Sequence, residues 1–291
     1  MELLTYTNAD GDSIELGYSA PYVLQNFSGA GDLDFDVQTS KAPFQDGETF
    51  LDTLADARDI SFQIALLTEG QHDLYQKRRH LSRVFNPKLK GTLTYKNDYL
   101  ERSIEVYLES GPTFPTGRRN RGGGFQNCLI QMIAVEPFWT DPNDSLSLLA
   151  AVIPLFEFEL EIPEEEGIEM STLSDGRVTV DNVGDVEAPI RFEFPGPVTD
   201  PKITNATTGE FIELITPLAA DEKMIITTAF GNKTAMIEKA NGDMESAFQY
   251  LNLESSFFQL QPGINELEFD AAAGSDEAQI TITYRLRYVG V

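Results

Sequence analysis

Turn-forming residues recur so closely along this chain that few segments can run longer than a short strand. Between about 178 and 291, the strand candidates are 178–183, 189–194, 211–215, 223–228, 233–237, 264–269 and 278–288. Between them fall turn signals such as Thr208-Gly209, Gly231-Asn232, Asn241-Gly242 and Pro262-Gly263. Glycine and asparagine accept the positive φ of tight reversals, so strands this short and regular predict an antiparallel sandwich of the jelly-roll kind. The same signal opens the chain. Asn8-Ala9-Asp10-Gly11-Asp12 separates the apolar stretches 3–6 and 14–18 and predicts a hairpin. Residues 60–68, 91–108 and 128–135, rich in Ile, Leu, Val, Tyr and Thr, are further strand candidates.

One segment carries a helical period, from about 71 to 85. Leu74, Leu81 and Phe85 recur at intervals of seven and four and so share one face. Lys77, Arg78 and Arg79 occupy the rest of the surface, and Pro87 stops the helix. At 291 residues, with 41% hydrophobic and 10% aromatic residues, the chain can bury a core in each of two domains. Pro137, Pro142 and the polar run 140–145 mark the change. The expected division is a mainly β domain with one helix over 1–145 and an antiparallel sandwich over 146–291. Residues 155–162 alternate apolar and acidic, as Phe156-Glu157-Phe158-Glu159-Leu160-Glu161-Ile162, and predict a half-buried strand that is free to cross the boundary.

Charge removes several functions. The chain has 47 acidic against 21 basic residues, a formal −26. Residues 1–144 hold 13 basic and 21 acidic residues, net −8; residues 145–291 hold 8 and 26, net −18. A surface this acidic repels phosphate backbones and anionic membranes. The N-terminus has no basic stretch leading into an apolar run, which predicts a soluble product made in the cytoplasm. The apolar stretch 146–156 is too short to span a bilayer.

Catalytic and metal motifs fail on spacing. His72 and His80 stand eight residues apart on the expected helix, about 12 Å of rise, too far to share a metal directly. With both histidines on this basic helix and no other in the chain, a Ser/His/Asp or Cys/His set is not expected. Asp32-Leu33-Asp34-Phe35-Asp36 imitates a calcium loop, but Val37 stands where that loop needs glycine and Pro43 where it needs glutamate. An acidic strand face accounts for it better. Glu157, Glu159 and Glu161 lie about 7 Å apart on one strand face and do not straddle a substrate as glycosidase carboxylates do. Cys128, the single cysteine, sits in an apolar run and reads as a small buried hydrophobe. No catalytic residue, cofactor or metal site is expected.

The segment Gly117-Arg118-Arg119-Asn120-Arg121-Gly122-Gly123-Gly124 reads as a flexible, basic loop. No Lys-Ser/Thr follows the glycines, so it is not a nucleotide P-loop. In so acidic a protein, Arg118, Arg119 and Arg121 are candidates for contact with acidic surface on a neighbouring subunit or partner. A plain solvated loop and a nucleic-acid contact are the competing readings.

Four passages together resemble the distal tail protein (Dit) family of long-tailed, non-contractile bacteriophages. They are Leu81-Ser82-Arg83-Val84-Phe85-Asn86-Pro87 with Gly91-Thr92-Leu93-Thr94-Tyr95; Ala134-Val135-Glu136-Pro137-Phe138-Trp139; Leu155-Phe156-Glu157-Phe158-Glu159-Leu160; and a series from Gly184-Asp185 through Gly196-Pro197-Val198-Thr199-Asp200-Pro201 to Ser256-Phe257-Phe258 and Pro262-Gly263-Ile264-Asn265. Glu136 stands where the family pattern has Asp. The resemblance implies a homohexameric ring at the distal end of the tail. In it a tail-tube-like β domain with one helix forms the ring, and a galectin-like sandwich lies on the periphery. It also implies contacts with the tail-tube protein, the tail-associated hub or tail-lysin protein and receptor-binding proteins. DNA passes through the lumen without specific binding. Pro137, Phe138 and Trp139 then become candidates for packing at the domain junction. A carbohydrate-binding module acting in host cell-wall attachment and a tail-tube subunit are the alternatives.

Overall fold

Seven strands cannot close a barrel through antiparallel contacts alone, because an odd number leaves one neighbouring pair running the same way. The first unit of the computed structural model meets this constraint with a single parallel seam. The structure describes residues 2–150, 176–274 and 279–291, without the side chains of 147–150 and 279. They divide into two units: Met1–Pro142 with Tyr288–Val291, and Asn143–Arg287. The last four residues therefore belong with the first unit and not with the strands that precede them.

The strands of the first unit are β1 (Leu3–Asn8), β2 (Ser13–Leu16), β3 (Tyr22–Ser28), β4 (Phe35–Ser40), β5 (Thr49–Ala55), β6 (Arg58–Leu67), β7 (Gly91–Lys96), β8 (Glu101–Leu108), β9 (Phe125–Ala134) and β10 (Trp139–Thr140); helix α1 (Gln71–Val84) lies between β6 and β7. The order around the barrel is β2-β1-β7-β8-β9-β6-β3. Every neighbouring pair on this path is antiparallel. The seam is the parallel bridge between Gly17 and Val23, where the Leu24 amide donates to the Gly17 carbonyl at 2.7 Å. β10 adds beside β8.

Alternation sends one side chain in two inward. Leu4 and Tyr6, Ile14 and Leu16, Ile60, Phe62, Ile64 and Leu66, and Ile130 and Met132 are all buried. Helix α1 adds Leu74, Leu81 and Val84, and Phe85 follows immediately. The Phe85 ring stacks on Tyr6 at 4.4 Å and meets Phe62 edge-on at 5.9 Å. Buried Asn8 joins the opening hairpin to the helix. Its Nδ2 donates to the Val84 carbonyl, and its Oδ1 accepts from the Asp10 and Asp12 amides. The helical period and the first hairpin are thus as expected, whereas 91–108 is two strands broken at 97–100.

The second unit has β11 (Ser145–Ala150), β12 (Arg177–Asn182), β13 (Ile190–Pro195), β14 (Val198–Thr199), β15 (Lys202–Asn205), β16 (Glu210–Glu213), β17 (Pro217–Leu218), β18 (Lys223–Thr227), β19 (Thr234–Glu238), β20 (Met244–Ser246), β21 (Gly263–Asp270) and β22 (Gln279–Tyr284); β23 (Arg287–Tyr288) spans the division. A six-stranded sheet, β11-β22-β13-β18-β19-β20, and a four-stranded sheet, β12-β21-β15-β16, form an antiparallel sandwich. Phe192, Phe194, Met224, Ile226, Ile280 and Ile282 from the larger sheet meet Val178, Val180, Ile203, Ile212 and Leu267 from the smaller in one core. The alternating stretch 155–162, with Glu157, Glu159 and Glu161, lies outside the described residues.

Cys128 faces the barrel core at 1% exposure, and burial pushes its thiol up to about 12. Because the thiolate is the nucleophile, native protein at pH 8 is expected to resist alkylation by iodoacetamide. Mass spectrometry should find one adduct per chain only after denaturation.

Candidate interaction surfaces

The arginine loop is folded, contrary to the flexible loop expected from its glycines. The Asn120 and Arg121 amides donate to the Gly117 carbonyl, and Gly122 donates to Phe125. Gln126, 1% exposed, donates Nε2 to the carbonyls of Pro115, Asn120 and Asn127. The far end is fastened to the helix entry, where the Thr68 amide donates to the Gly124 carbonyl at 2.8 Å. A Cβ at Gly124 would stand 2.3 Å from the Thr68 oxygen, so only glycine permits this approach.

This loop brings its arginines to helix α1. Arg121 donates Nη2 to the Tyr75 hydroxyl at 2.5 Å. Arg78 lies 5.5 Å from the same ring and 4.4 Å from the ring of Phe114. Arg118, Arg121, Gln71 and the loop glycines surround an open hollow of about 450 Å³. Arg118 and Arg119 are exposed. Among the described residues, none of Arg78, Arg79, Arg118, Arg119 and Arg121 forms an ion pair, while Arg83, Lys90, Lys96 and Arg102 all do.

Pro137, Phe138 and Trp139 close the first unit around a buried arginine. Arg58, 1% exposed, donates Nε to the Pro137 carbonyl at 2.6 Å, Nη1 to Gly29 at 3.0 Å and Nη2 to Val289 at 2.5 Å. Trp139 is fully buried, and its Nε1 shares the Gly29 carbonyl at 3.2 Å. Pro137 is buried and Phe138 half-buried. Gly29 has φ +109, and a Cβ there would meet Ile60 at 2.8 Å. Asp32 accepts from the Ser28 hydroxyl and the Gly29 amide, both at 2.7 Å, and the Ser28 bond leads in holding its carboxyl below the ordinary 3.8. Asp32 is therefore a turn ligand, and the strand begins only at Phe35. Arg58 carried no signal in the sequence, because a buried arginine on a strand looks like an exposed one.

Sequence patterning also missed the ribbon β4–β5. Among the described residues its strands pair only with each other. From Asp34 to Leu54 every residue except Gln45 is exposed. Phe35, Val37, Phe44, Phe50, Leu51 and Leu54 all face solvent, Phe44 completely and at φ +67. Residues 32–56 carry seven acidic residues against Lys41.

Comparison with known proteins decides the family. Residues 9–134 match the phage tail protein RIFT-related domain, and residues 183–288 match the C-terminal domain of siphovirus-type tail components. The chain belongs to the distal tail protein family of siphophages. It is a structural component of the virion's tail or baseplate. The SPP1 Dit protein, described as a paradigm of hub adsorption apparatus in Gram-positive infecting phages, is similar in fold over 98% of both chains, with TM-score 0.68 and 13% identity. Chains of the phage P2 baseplate in its activated conformation are similar too. With Ca the TM-score is 0.53 at 13% identity, covering 100% of this chain and 99% of that one. With Sr it is 0.52 at 14%, covering 97% of each. No curated protein matches the sequence.

Among the described residues no cluster of His, Cys, Asp and Glu could hold a metal. His72 bonds Gln76, and His80 lies beside Tyr22. Tyr250 and Tyr284 pack on the second core, and Tyr288 packs on the first.

Replacing Arg58 with Met strands the Pro137 and Val289 carbonyls in a buried site, an expected loss of about 3 kcal/mol measured by urea unfolding. Arg58→Lys should recover only part of it, since one ammonium cannot span all three acceptors. Because the Asp32 carboxyl is depressed, its contribution is present above the unfolded pKa and lost as pH falls through the folded one. Asp32→Asn should flatten that acid limb of the stability curve, read by thermal unfolding below pH 4.

Proposed function

We propose that identical copies of this tail component, six in number, close into a ring at the distal end of the tail. Residues 1–145 form the ring and 146–291 lie on its periphery. The ring joins the tail-tube protein to the tail-associated hub protein and the receptor-binding apparatus, and it leaves a central channel for DNA. It works as a scaffold, without catalysis, cofactor or metal, and is made in the host cytoplasm.

The observation that carries this reading is the β4–β5 ribbon. A two-stranded hairpin is marginal in water, and among the described residues nothing pairs with either outer edge of this one. It also exposes six large apolar side chains. Burying a Leu or Phe side chain contributes about 1.5–3 kcal/mol, so water is a poor environment for the ribbon. A second copy supplies both a covering surface and edge partners. Because a ribbon meets a different surface on its neighbour, the contact is heterologous, and repeated rotation closes it into a ring. The charge agrees. DNA gains non-specific affinity chiefly by releasing counterions to cationic protein, and a chain at −26 offers little of that along a channel. At a Debye length of about 8 Å, only carboxylates near the bore act on the passing duplex.

Electron microscopy and native mass spectrometry of the full chain should give closed rings of six. Phe44→Ser, Phe50→Ser and Leu54→Ser together should shift the mass to single copies while leaving the thermal midpoint of the first unit within about 2 °C. A triple variant that still forms rings would remove the ribbon from the interface.

A further inference from the structure

The unpaired arginines and the acidic ribbon belong to the same unit and have opposite charge. Arg118 and Arg121 frame an open hollow beside Tyr75, Arg78 and Phe114, and among the described residues no carboxylate forms an ion pair with any of the three arginines. The loop backbone is held by the buried Gln126 and by Gly124 against Thr68, and Arg121 by its bond to Tyr75, so the loop and this guanidinium are placed before any partner arrives. Such pre-placement lowers the ordering cost of binding. The ribbon offers the converse chemistry. Asp36, Gln38, Asp52 and Leu54 share one of its faces, by the pairing of Asp36 with Leu54 and Gln38 with Asp52. That face therefore carries carboxylates interleaved with an apolar side chain. The hollow presents the guanidiniums of Arg118 and Arg121, and beside it Arg78 and Arg121 lie against the rings of Tyr75 and Phe114.

We infer that the arginine hollow receives the acidic face of the β4–β5 ribbon from a second copy of this chain. This rests on the ring reading above and deepens it by naming the two surfaces that meet. Carboxylates of Asp36 and Asp52 pair with the guanidiniums of Arg118 and Arg121, and Leu54 lies against Tyr75 and Phe114. Guanidinium suits this task because its planar fork binds carboxylate with two donors and stacks on aromatic rings at once. The occupant is another copy and not nucleic acid, because the ribbon matches the hollow in charge and offers Leu54 to the aromatic rings beside it. The contact joins two unlike surfaces, so each copy uses its hollow on one neighbour and its ribbon on the other. That arrangement propagates around a ring and leaves neither surface bare.

Charge reversal tests this with the full-length chain. Arg118→Glu with Arg121→Glu makes the hollow acidic, and Asp36→Lys with Asp52→Lys makes the ribbon basic. All four positions are at the surface or in the loop, and circular dichroism with thermal unfolding checks that each variant folds. Each double variant alone should weaken self-association about tenfold or more by sedimentation. An equimolar mixture should restore it, because acidic ribbon then meets basic hollow and basic ribbon meets acidic hollow in alternation. One chain carrying all four reversals should also assemble. Three results would overturn the inference. In the first, the wild type forms rings and both double variants do so equally well. In the second, each variant is impaired but the mixture is no better than its components. In the third, the Arg variant assembles normally but loses retention of a labelled DNA duplex that the wild type binds. A wild type that stays monomeric to its solubility limit would overturn the ring reading itself.

Discussion

One buried guanidinium fixes where three parts of the first unit begin and end. Arg58 gathers the carbonyls of Gly29, Pro137 and Val289. Gly29 lies at the root of the ribbon, Pro137 in the connection between β9 and β10, and Val289 in the four residues that return to the unit from the far end of the sequence. A charge buried without a hydrogen-bonded carboxylate is costly unless every donor finds an acceptor, so the three carbonyls are held as firmly as the arginine. Trp139 adds a second donor at Gly29, and Asp32 binds the Gly29 amide. The ribbon therefore departs from a rigid base although the ribbon itself has no core.

That contrast between a rigid base and an unsupported extension organises the functional account. The barrel satisfies itself: its seam is closed by Gly17 and Val23, and its interior is filled by strand residues and by the helix. The ribbon satisfies only one edge of each strand. Charge is sorted in the same way. The first unit is the less acidic part of a strongly acidic chain, yet its unpaired arginines collect at the helix and loop while carboxylates collect on the ribbon. A monomer gains little from this sorting. An assembly of identical copies uses both poles.

Much of the architecture was legible from periodicity. The helix, the first hairpin and most strands of the sandwich carry strong local signals, because turn chemistry and alternation are local properties. What was not legible depends on distant contacts. β4 and β5 lack a buried face, so alternation has nothing to mark. Arg58 is indistinguishable in sequence from a surface arginine until the C-terminal residues reach it. The arginine loop read as flexible because its glycines suggest freedom, whereas Gly124 is there to let Thr68 approach and Gln126 supplies the buried bonds. The family was recognisable from short passages in order, and the two domain matches agree with it.

The claim at the centre is that the ribbon is covered by a neighbouring copy in the particle. Hydrogen exchange of residues 35–55, compared between assembled tails and dissociated chain, tests it most directly. The account predicts strong protection of the ribbon amides in the tail and rapid exchange in the free chain. Equal, rapid exchange in both states would contradict it.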